Sequence, residues 1–295
     1  MNRKIDYKIN ENDTGKTVEG FLKERGYTHQ VLVRLKQTDH GILRNGIWAY
    51  TNERLCKDDL ITVQIVENEC SDNISPVNLP LDIAYEDDDI IVINKPFDMP
   101  AHPSAGNHDN TLANALMYYY GSQNKPFVYR CINRLDRDTT GLTIVAKHAL
   151  AGGILGNAVA KRAIHRTYYA VCSGCTPAYM RISAPIARKD ASTIERCVDF
   201  KRGENAVTDF IRIKYNPDNN LSLVKLRLLT GRTHQIRVHM KYIGFPLIGD
   251  FLYNPDYTYI SRQALHSGRL VFTHPVTGQK MNLISDIPSD MKSLF

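Results

Sequence analysis

Residues 133–142, NRLDRDTTGL, set two carboxylates among arginines just before an apolar run. The segment is too charged to belong to a hydrophobic core. A carboxylate that is ionised and held in place is a nucleophile, so Asp136 is a candidate for covalent catalysis. The alternative is structural, because Asp136 and Asp138 are common turn and capping residues and Gly141 closes such a loop. On composition alone both interpretations stay open.

A second polar segment, residues 228–239, reads LLTGRTHQIRVH. Gly231 and Thr233 are turn and N-cap types, which predicts a loop that delivers basic residues at the first turns of a helix. Anions are favoured at such a helix start. His234 and His239 are five residues apart and fall on different helix faces, so they do not predict a metal site.

A third segment, residues 166–171, RTYYAV, follows a basic helix end and has the composition of a strand. Neighbouring side chains of a strand point to opposite faces, so only one of Tyr168 and Tyr169 can face a pocket. Stacking on a nucleic-acid base and ordinary packing explain this pair equally well.

The elements that position these segments follow from hydrophobic periodicity and turn signals. Helices are predicted over residues 18–26, 31–37, 111–120, 148–162 and 233–243. Strands are predicted over residues 42–43, 47–49, 60–66, 90–93, 142–146, 166–172, 206–215 and 221–229. Because strands and helices do not alternate regularly, we expect an α+β fold whose mainly antiparallel, mixed sheet is flanked by helices.

The chain divides at a stretch with two prolines and several turn formers, residues 67–80, which predicts a linker. Residues 14–66 before it predict a small α/β domain, and residues 81–295 after it predict the large domain. The first dozen residues are polar, and we expect them to be loosely held.

The 295 residues carry a formal net charge of +6 and are 43% hydrophobic. No run approaches the roughly 20 apolar residues that a membrane helix needs. The charged N-terminal segment lacks the apolar stretch of a secretory signal, and the six scattered cysteines suggest no disulfide framework, so we expect a cytoplasmic protein. Residues 130–166 carry seven Lys and Arg, which favours a phosphate-facing surface in that part of the chain.

Taken in this order, the three segments resemble the signature motifs of the RluA-type pseudouridine synthases, which modify uridines of large-subunit ribosomal RNA and transfer RNA. Further matches to that family are Lys95-Pro96, His102-Pro103-Ser104, the PLIGD segment that ends at Asp250, and Tyr253. The likeness runs from about residue 81 to residue 295. Residues 17–66 more weakly resemble the small alpha-L RNA-binding domain that often precedes this catalytic domain.

The resemblance implies roles for several motif residues, whereas His234 and Gln235 are motif members to which it gives no individual role. Asp136 would be the nucleophile, Tyr168 would stack on the target base, and Arg237 would pair with the Asp136 carboxylate. Arg134 would fill the gap left by an extruded nucleotide. The other residues assigned to RNA binding are Arg137, Arg232, His234 and Gln235.

The implied partner is ribosomal or transfer RNA. Isomerising uridine breaks a C–N bond and forms a C–C bond without a redox step, so we expect neither a cofactor nor a metal. The chain has Asn133 where many relatives have His, and Thr140 where many have Ser; both lie outside the proposed chemistry. The sequence shows no unassigned amphipathic helix and no coiled-coil heptad that would require a partner chain. We therefore expect a monomer.

Two other functions compete with this one. The first is a catalytically silent RNA-binding or ribosome-assembly protein, against which the intact set of Asp136, Tyr168 and Arg237 argues. The second is a hydrolase that uses Asp136 with His234 or His239 as its base.

Overall fold

The computed structural model of this protein describes residues 2–104, 106–190, 192 and 194–295. Within these residues the strands are β1 (Asn2–Lys8), β2 (Ile42–Arg44), β3 (Ile47–Trp48), β4 (Leu60–Val66), β5 (Ile83–Glu86), β6 (Ile90–Lys95), β7 (Arg130–Cys131), β8 (Thr140–Ala146), β9 (His165–Ser173), β10 (Tyr179–Ser183), β11 (Ile186–Arg188), β12 (Arg196–Val198), β13 (Val207–Asn216), β14 (Leu221–Leu228), β15 (Leu265–Thr273) and β16 (Lys280–Ile284). The helices are α1 (Val18–Glu24), α2 (His29–Gln37), α3 (Leu112–Gly121), α4 (Ala149–Ala160), α5 (Gln235–Tyr242) and α6 (Ser289–Lys292).

The first sheet has the strand order β1-β4-β2-β3 and is covered by α1 and α2. Each helix begins at a threonine whose hydroxyl accepts a backbone N–H, Thr17 from Gly20 and Thr28 from Val31. Such caps satisfy donors that the first helical turn leaves unpaired. Apolar residues at helical spacing, such as Val31 and Leu35, pack against the sheet.

The expectation that the first dozen residues are loosely held was wrong. They include β1, which pairs with β4 over its full length, from Asn2 opposite Val66 to Lys8 opposite Leu60. An edge strand of this kind buries few side chains; here Ile5 is buried while its neighbours stay exposed or half-exposed. Its composition therefore looks like coil, although the backbone is hydrogen-bonded throughout.

The second sheet runs β10-β13-β14-β9-β15-β8-β6-β5, with β16 beside β15 and β7 beside β8. Its pairs are antiparallel except that of β15 with β8. β8 is buried along its whole length, between the core that faces α4 and the core that faces α3. The prediction of an α+β fold with a mainly antiparallel mixed sheet is confirmed.

Buried polar contacts join the two sheets. Arg3 of β1 donates two hydrogen bonds to Asp89, of 2.8 and 3.1 Å. Glu67 accepts the N–H of Ala149 at the start of α4 and lies 2.8 Å from Arg130. Leu150 of α4 belongs to the apolar core of the first sheet. Residues 67–80, between the two sheets, contain neither helix nor strand.

No helix in the described part of the chain is long and apolar enough to cross a bilayer.

Candidate active site

The sheet brings the three polar segments to one cleft. Asp136 lies in the loop between β7 and β8, Tyr168 lies within β9, and Arg237 lies in the first turn of α5. In the sheet, only β15 separates β8 from β9. The loop that leads into β8 therefore lies close to β9. Gly141 makes this approach possible, because a Cβ there would meet Ser267 of β15 at 2.3 Å from its carbonyl oxygen.

Arg237 lies between two carboxylates. Its Nε and Nη2 donate to Asp250 at 2.7 and 2.8 Å, and its Nη1 donates to Asp136 at 2.9 Å. The guanidinium also lies 5.0 Å from the ring centre of Tyr253. Burial alone would lower the pKa of Arg237, but the two carboxylates outweigh it and raise that pKa. The arrangement fixes one oxygen of Asp136 and leaves its side chain 30% exposed to the cleft.

Asp250 was not among the predicted site residues, although the PLIGD segment that contains it was noted. It is fully buried, and its carboxylate also accepts the backbone N–H groups of Leu252 and Tyr253. Gly249 must precede it, since its φ is +66° and a Cβ there would meet the carbonyl oxygen of Arg262 at 2.1 Å. An aspartate directly after a glycine is the sequence signal that could have identified Asp250.

The cleft in front of Asp136 has about 470 Å³ of empty space, part of which is open to solvent. Tyr168 is 4% exposed and lines it beside Leu228 and Leu265. Arg134, Arg166 and Arg232 line it as well. An apolar and aromatic surface with cationic groups around it suits one planar base and its phosphate.

His234 connects the cleft to its surroundings. It is the residue before α5 and has a φ of +56°. His234 rather than Thr233 is therefore the N-cap, and the helix begins one residue later than a Thr233 cap would place it. The Tyr253 hydroxyl accepts the N–H of Arg196 and lies 3.0 Å from Nδ1 of His234. Nε2 of His234 lies 3.9 Å from Asp136. Burial lowers the pKa of His234, so the ring is neutral near pH 7.

Two of the residues assigned to RNA binding, Gln235 and Arg232, make contacts within the protein. Gln235 is buried, and its amide bonds to Thr230 and to backbone groups of Arg232 and Val207. It therefore shapes the loop before α5. Arg232 lies at the rim of the cleft and pairs with Glu204.

Arg137 and Arg134 are the exposed cations beside Asp136. Arg137 lies 3.2 Å from Asp138, and Arg134 reaches into the cleft. Two departures from the family pattern have structural roles. Asn133 bonds to the backbone of Leu142 and Ile144, and Thr140 lies 2.9 Å from Nδ1 of His266.

Lys95 holds the loop that carries Asp136 through buried hydrogen bonds. Its ammonium is 1% exposed and donates to the carbonyl oxygens of Pro96 and Arg137, at 2.7 and 2.8 Å. Burial lowers its pKa to about 7, although the carboxylates of Asp138 and Asp136 oppose that shift. Lys95 thus holds the backbone one residue beyond Asp136.

Replacing Lys95 with Met should slow the reaction by about 10- to 100-fold, because the loop that carries Asp136 is no longer held in position. Two buried carbonyls lose their donor, which lowers the free energy of unfolding by about 1–3 kcal/mol. The measurements are single-turnover kinetics and urea unfolding.

Lys147→Met is the matched control. Lys147 is a buried ammonium that contacts Glu86 and the carbonyl of Asp87, outside the cleft. It should lose stability with little change in rate. Equal rate losses in the two variants would contradict a positioning role for Lys95.

One group among the described residues has the spacing of a metal site: Asp87, Asp89 and His274. Nδ1 of His274 accepts the N–H groups of Val276 and Thr277, which places the ring proton on Nε2. Nε2 lies 2.9 Å from Asp87 and faces it as a donor rather than as a ligand. Asp89 is already bonded to Arg3. The group therefore belongs to the polar contacts that join the two sheets.

Comparison with known proteins identifies relatives of this chain. A family described as RNA pseudouridylate synthase matches residues 89–242. A Bacillus subtilis protein named "Uncharacterized RNA pseudouridine synthase YjbO" is 38% identical over 281 residues, which is 95% of this chain and 98% of that protein. The Escherichia coli "Ribosomal large subunit pseudouridine synthase D" is 36% identical over 97% of this chain and 92% of its own length.

A solved structure resembles the fold. "Human RNA Pseudouridylate Synthase Domain Containing 1" superposes with a TM-score of 0.59 and 26% identity, over 70% of this chain and 83% of that one. "Human RNA Pseudouridylate Synthase Domain Containing 4" has a TM-score of 0.59 at 20% identity, over 72% and 90% of the two chains, and supports the fold alone.

Proposed function

The chain belongs to the RNA pseudouridylate synthase family, an isomerase family, and from this premise we propose that it converts uridines of large-subunit ribosomal RNA to pseudouridine with Asp136 as the nucleophile. The observation that carries the assignment of Asp136 is the buried guanidinium of Arg237. Asp250 holds it on one side, and Asp136 lies on the other with part of its carboxylate open to the cleft.

Each cleft residue has a task in this reaction. The flipped uridine stacks on Tyr168, and that contact offsets part of the few kcal/mol that extrusion costs. Asp136 attacks C6 of the base or C1′ of the ribose. The glycosidic bond to N1 breaks, the uracil turns, and C5 bonds to C1′. The bond to Asp136 breaks, and the proton lost from C5 is balanced by one gained at N1. Tyr168 assists that proton removal.

Ribosomal RNA is the substrate we favour over transfer RNA, because several relatives of the chain are named as large-subunit enzymes. The test is pseudouridine mapping of all RNA in cells with and without the gene. We expect one or a few large-subunit positions to disappear. Loss confined to transfer RNA would overturn the substrate, and no loss anywhere would overturn the activity. The place of action is then the cytoplasm, and the protein acts as a monomer without metal or cofactor.

The hydrolase alternative is less well supported by the geometry. His239 is fully buried, with Nδ1 at 2.9 Å from Thr208 and Nε2 at 2.9 Å from the carbonyl of Ala184, so it cannot reach Asp136 as a base. Release of tritium from RNA labelled at uridine C5 separates the candidates. The isomerase releases it, whereas a hydrolase or a silent RNA-binding protein does not.

Residues 14–66 are proposed as an RNA-binding domain. A groove with about 1770 Å³ of open space lies between α2 and α4. Its walls carry Arg34 and Arg130, which also contact Glu69 and Glu67. Gly152 and Gly153 have no side chains that would narrow the groove on the α4 side. A phosphate backbone could approach such a surface closely. The contacts of Arg3 and Glu67 described above would hold this domain in place while RNA binds.

Gln30→Glu combined with Gln37→Glu should weaken RNA binding about tenfold near 0.1 M salt, because two negative charges then face the phosphates along the groove. Both side chains are exposed on α2 and line the groove. The difference should shrink as salt rises. Filter binding over a salt series measures it.

Gln279 supplies the control, since it is exposed in the turn between β15 and β16, outside the groove. Gln279→Glu should leave affinity within about twofold of the wild type. An unchanged affinity in the α2 variant would place the RNA elsewhere.

A further inference from the structure

A second cavity adjoins the cleft and holds an excess of arginine. It encloses about 1010 Å³ and shares Gly231 and Arg232 with the cleft that contains Asp136. The other arginines on its walls are Arg188, Arg196 and Arg202. They come from β11, from β12 and from the segment that follows β12, so three separate places in the chain converge on one space.

Two of the four guanidinium groups are already neutralised. Arg202 bonds to Asp190 and Asp199, and Arg232 bonds to Glu204. Among the described residues, the guanidinium of Arg196 bonds to the carbonyl oxygens of residues 194 and 195, and no carboxylate lies within ion-pair distance of it or of Arg188. The cavity therefore keeps two uncompensated positive charges.

The two arginines that carry these charges are cross-strand neighbours. β11 and β12 form a two-stranded antiparallel ribbon in which Arg188 is the cross-strand partner of Arg196. Like charges at directly opposite positions of an antiparallel pair destabilise it. Packing gives no reason for the pair, because Arg188 is exposed and Arg196 is half-buried. An anion placed between the two guanidiniums would turn the repulsion into two charge-assisted hydrogen-bonding sites.

The ribbon is hydrogen-bonded to the reacting centre. The N–H of Arg196 donates to the hydroxyl of Tyr253, which is hydrogen-bonded to His234 beside Asp136. The backbone of Arg196 is thus held at a fixed position relative to the cleft. Glu204 lines the same cavity and is paired with Arg232, so the uncompensated charge of the space is that of Arg188 and Arg196.

We propose that Arg188 and Arg196 together bind one phosphodiester group of the substrate RNA, in the strand that enters the cleft and next to the nucleotide stacked on Tyr168. The inference rests on the proposed function, which makes RNA the polymer that occupies the cleft. A phosphodiester fits because it is a single negative charge with two free oxygens, one for each guanidinium. The subsite positions the strand and reads no base.

The test is a double-variant cycle on RNA binding with Arg188→Gln, Arg196→Gln and the pair. Each single variant should weaken binding about tenfold and reduce the slope of log affinity against log salt by about one. Because both arginines hold the same phosphate, the double variant should lose much less than the product of the two single losses. The rate at saturating RNA should stay within about threefold of the wild type.

Arg181→Gln is the matched control. Arg181 is an exposed arginine on β10 that pairs with Asp209, away from both cavities, and its loss lowers the net charge equally. It should leave affinity within about twofold of the wild type. Thermal unfolding adds a readout of a merely structural role: Arg196→Gln should keep or raise the midpoint, since it removes the cross-strand repulsion.

The outcomes separate the subsite from the proposed function. Unchanged binding in the Gln variants, fully multiplicative losses, or a lowered unfolding midpoint with control-level binding would each overturn the shared phosphate site. A wild-type protein that forms no pseudouridine but loses RNA affinity in the Gln variants would overturn the isomerase function and keep the subsite. An active wild type whose Gln variants bind RNA normally would overturn the subsite and keep the isomerase function.

Discussion

Replacing Asp136 with Ala should abolish pseudouridine formation, a loss of about 10⁴-fold or more, because the covalent step then has no nucleophile. Fold and RNA affinity should survive. Arg237 keeps both of its bonds to Asp250, so the buried guanidinium remains paired when Asp136 is removed. The measurement is tritium release from RNA labelled at uridine C5, with affinity determined on the same RNA.

Asp138→Ala is the control from the same loop. Asp138 is two residues away and contacts Arg137 rather than the buried guanidinium of Arg237. We expect a change of less than about tenfold there, of the size that altered loop electrostatics produces. Asp136→Asn tests shape against charge, since an amide retains the volume and cannot form the ester. Turnover in Asp136→Ala above that of buffer alone would remove this residue from the nucleophile's role.

Replacing Arg237 with Met should lower the rate per folded molecule by about 10²- to 10³-fold, because Asp136 loses the group that orients it. The same change leaves Asp250 as a buried carboxylate without its guanidinium partner. Breaking a buried ion pair from one side costs about 3–5 kcal/mol, so the free energy of unfolding should fall by that amount. Rates are therefore measured well below the unfolding midpoint of the variant.

Two further variants separate charge from geometry. Arg237→Lys keeps the positive charge, yet a single ammonium cannot match the three hydrogen bonds that the guanidinium makes to Asp250 and Asp136, so most of the rate loss should persist. Arg262→Lys is the matched control, since Arg262 is equally buried and holds Asp290 with two hydrogen bonds outside the cleft. It should lose stability and keep its rate. Near-wild-type kinetics in both Arg237 variants would contradict the pairing.

The sequence was most informative where local rules apply. Helices α1, α2, α3, α4 and α5 and most central strands were predicted close to their observed bounds, because apolar spacing and threonine caps act within a few residues. The polar segments around Asp136 and Arg237 stand out by composition for the same reason. Strands whose partners are distant gave weak signals. β15 and β16 were not predicted, although β15 lies between β8 and β9 and brings Asp136 and Tyr168 to one cleft.

By itself, then, the sequence determined which residue types stand in which order, and with them the α+β class and the motifs of the site. Only the tertiary structure decided that Asp250 shares Arg237 with Asp136, that Tyr253 links Arg196 to His234, and that Arg188 is the cross-strand partner of Arg196. Periodicity records the face that a residue presents, whereas hydrogen-bond partners and charge balance depend on groups that lie far apart along the chain, 101 positions in the case of Arg237 and Asp136. The burial that couples such groups exists only once the sheet has formed.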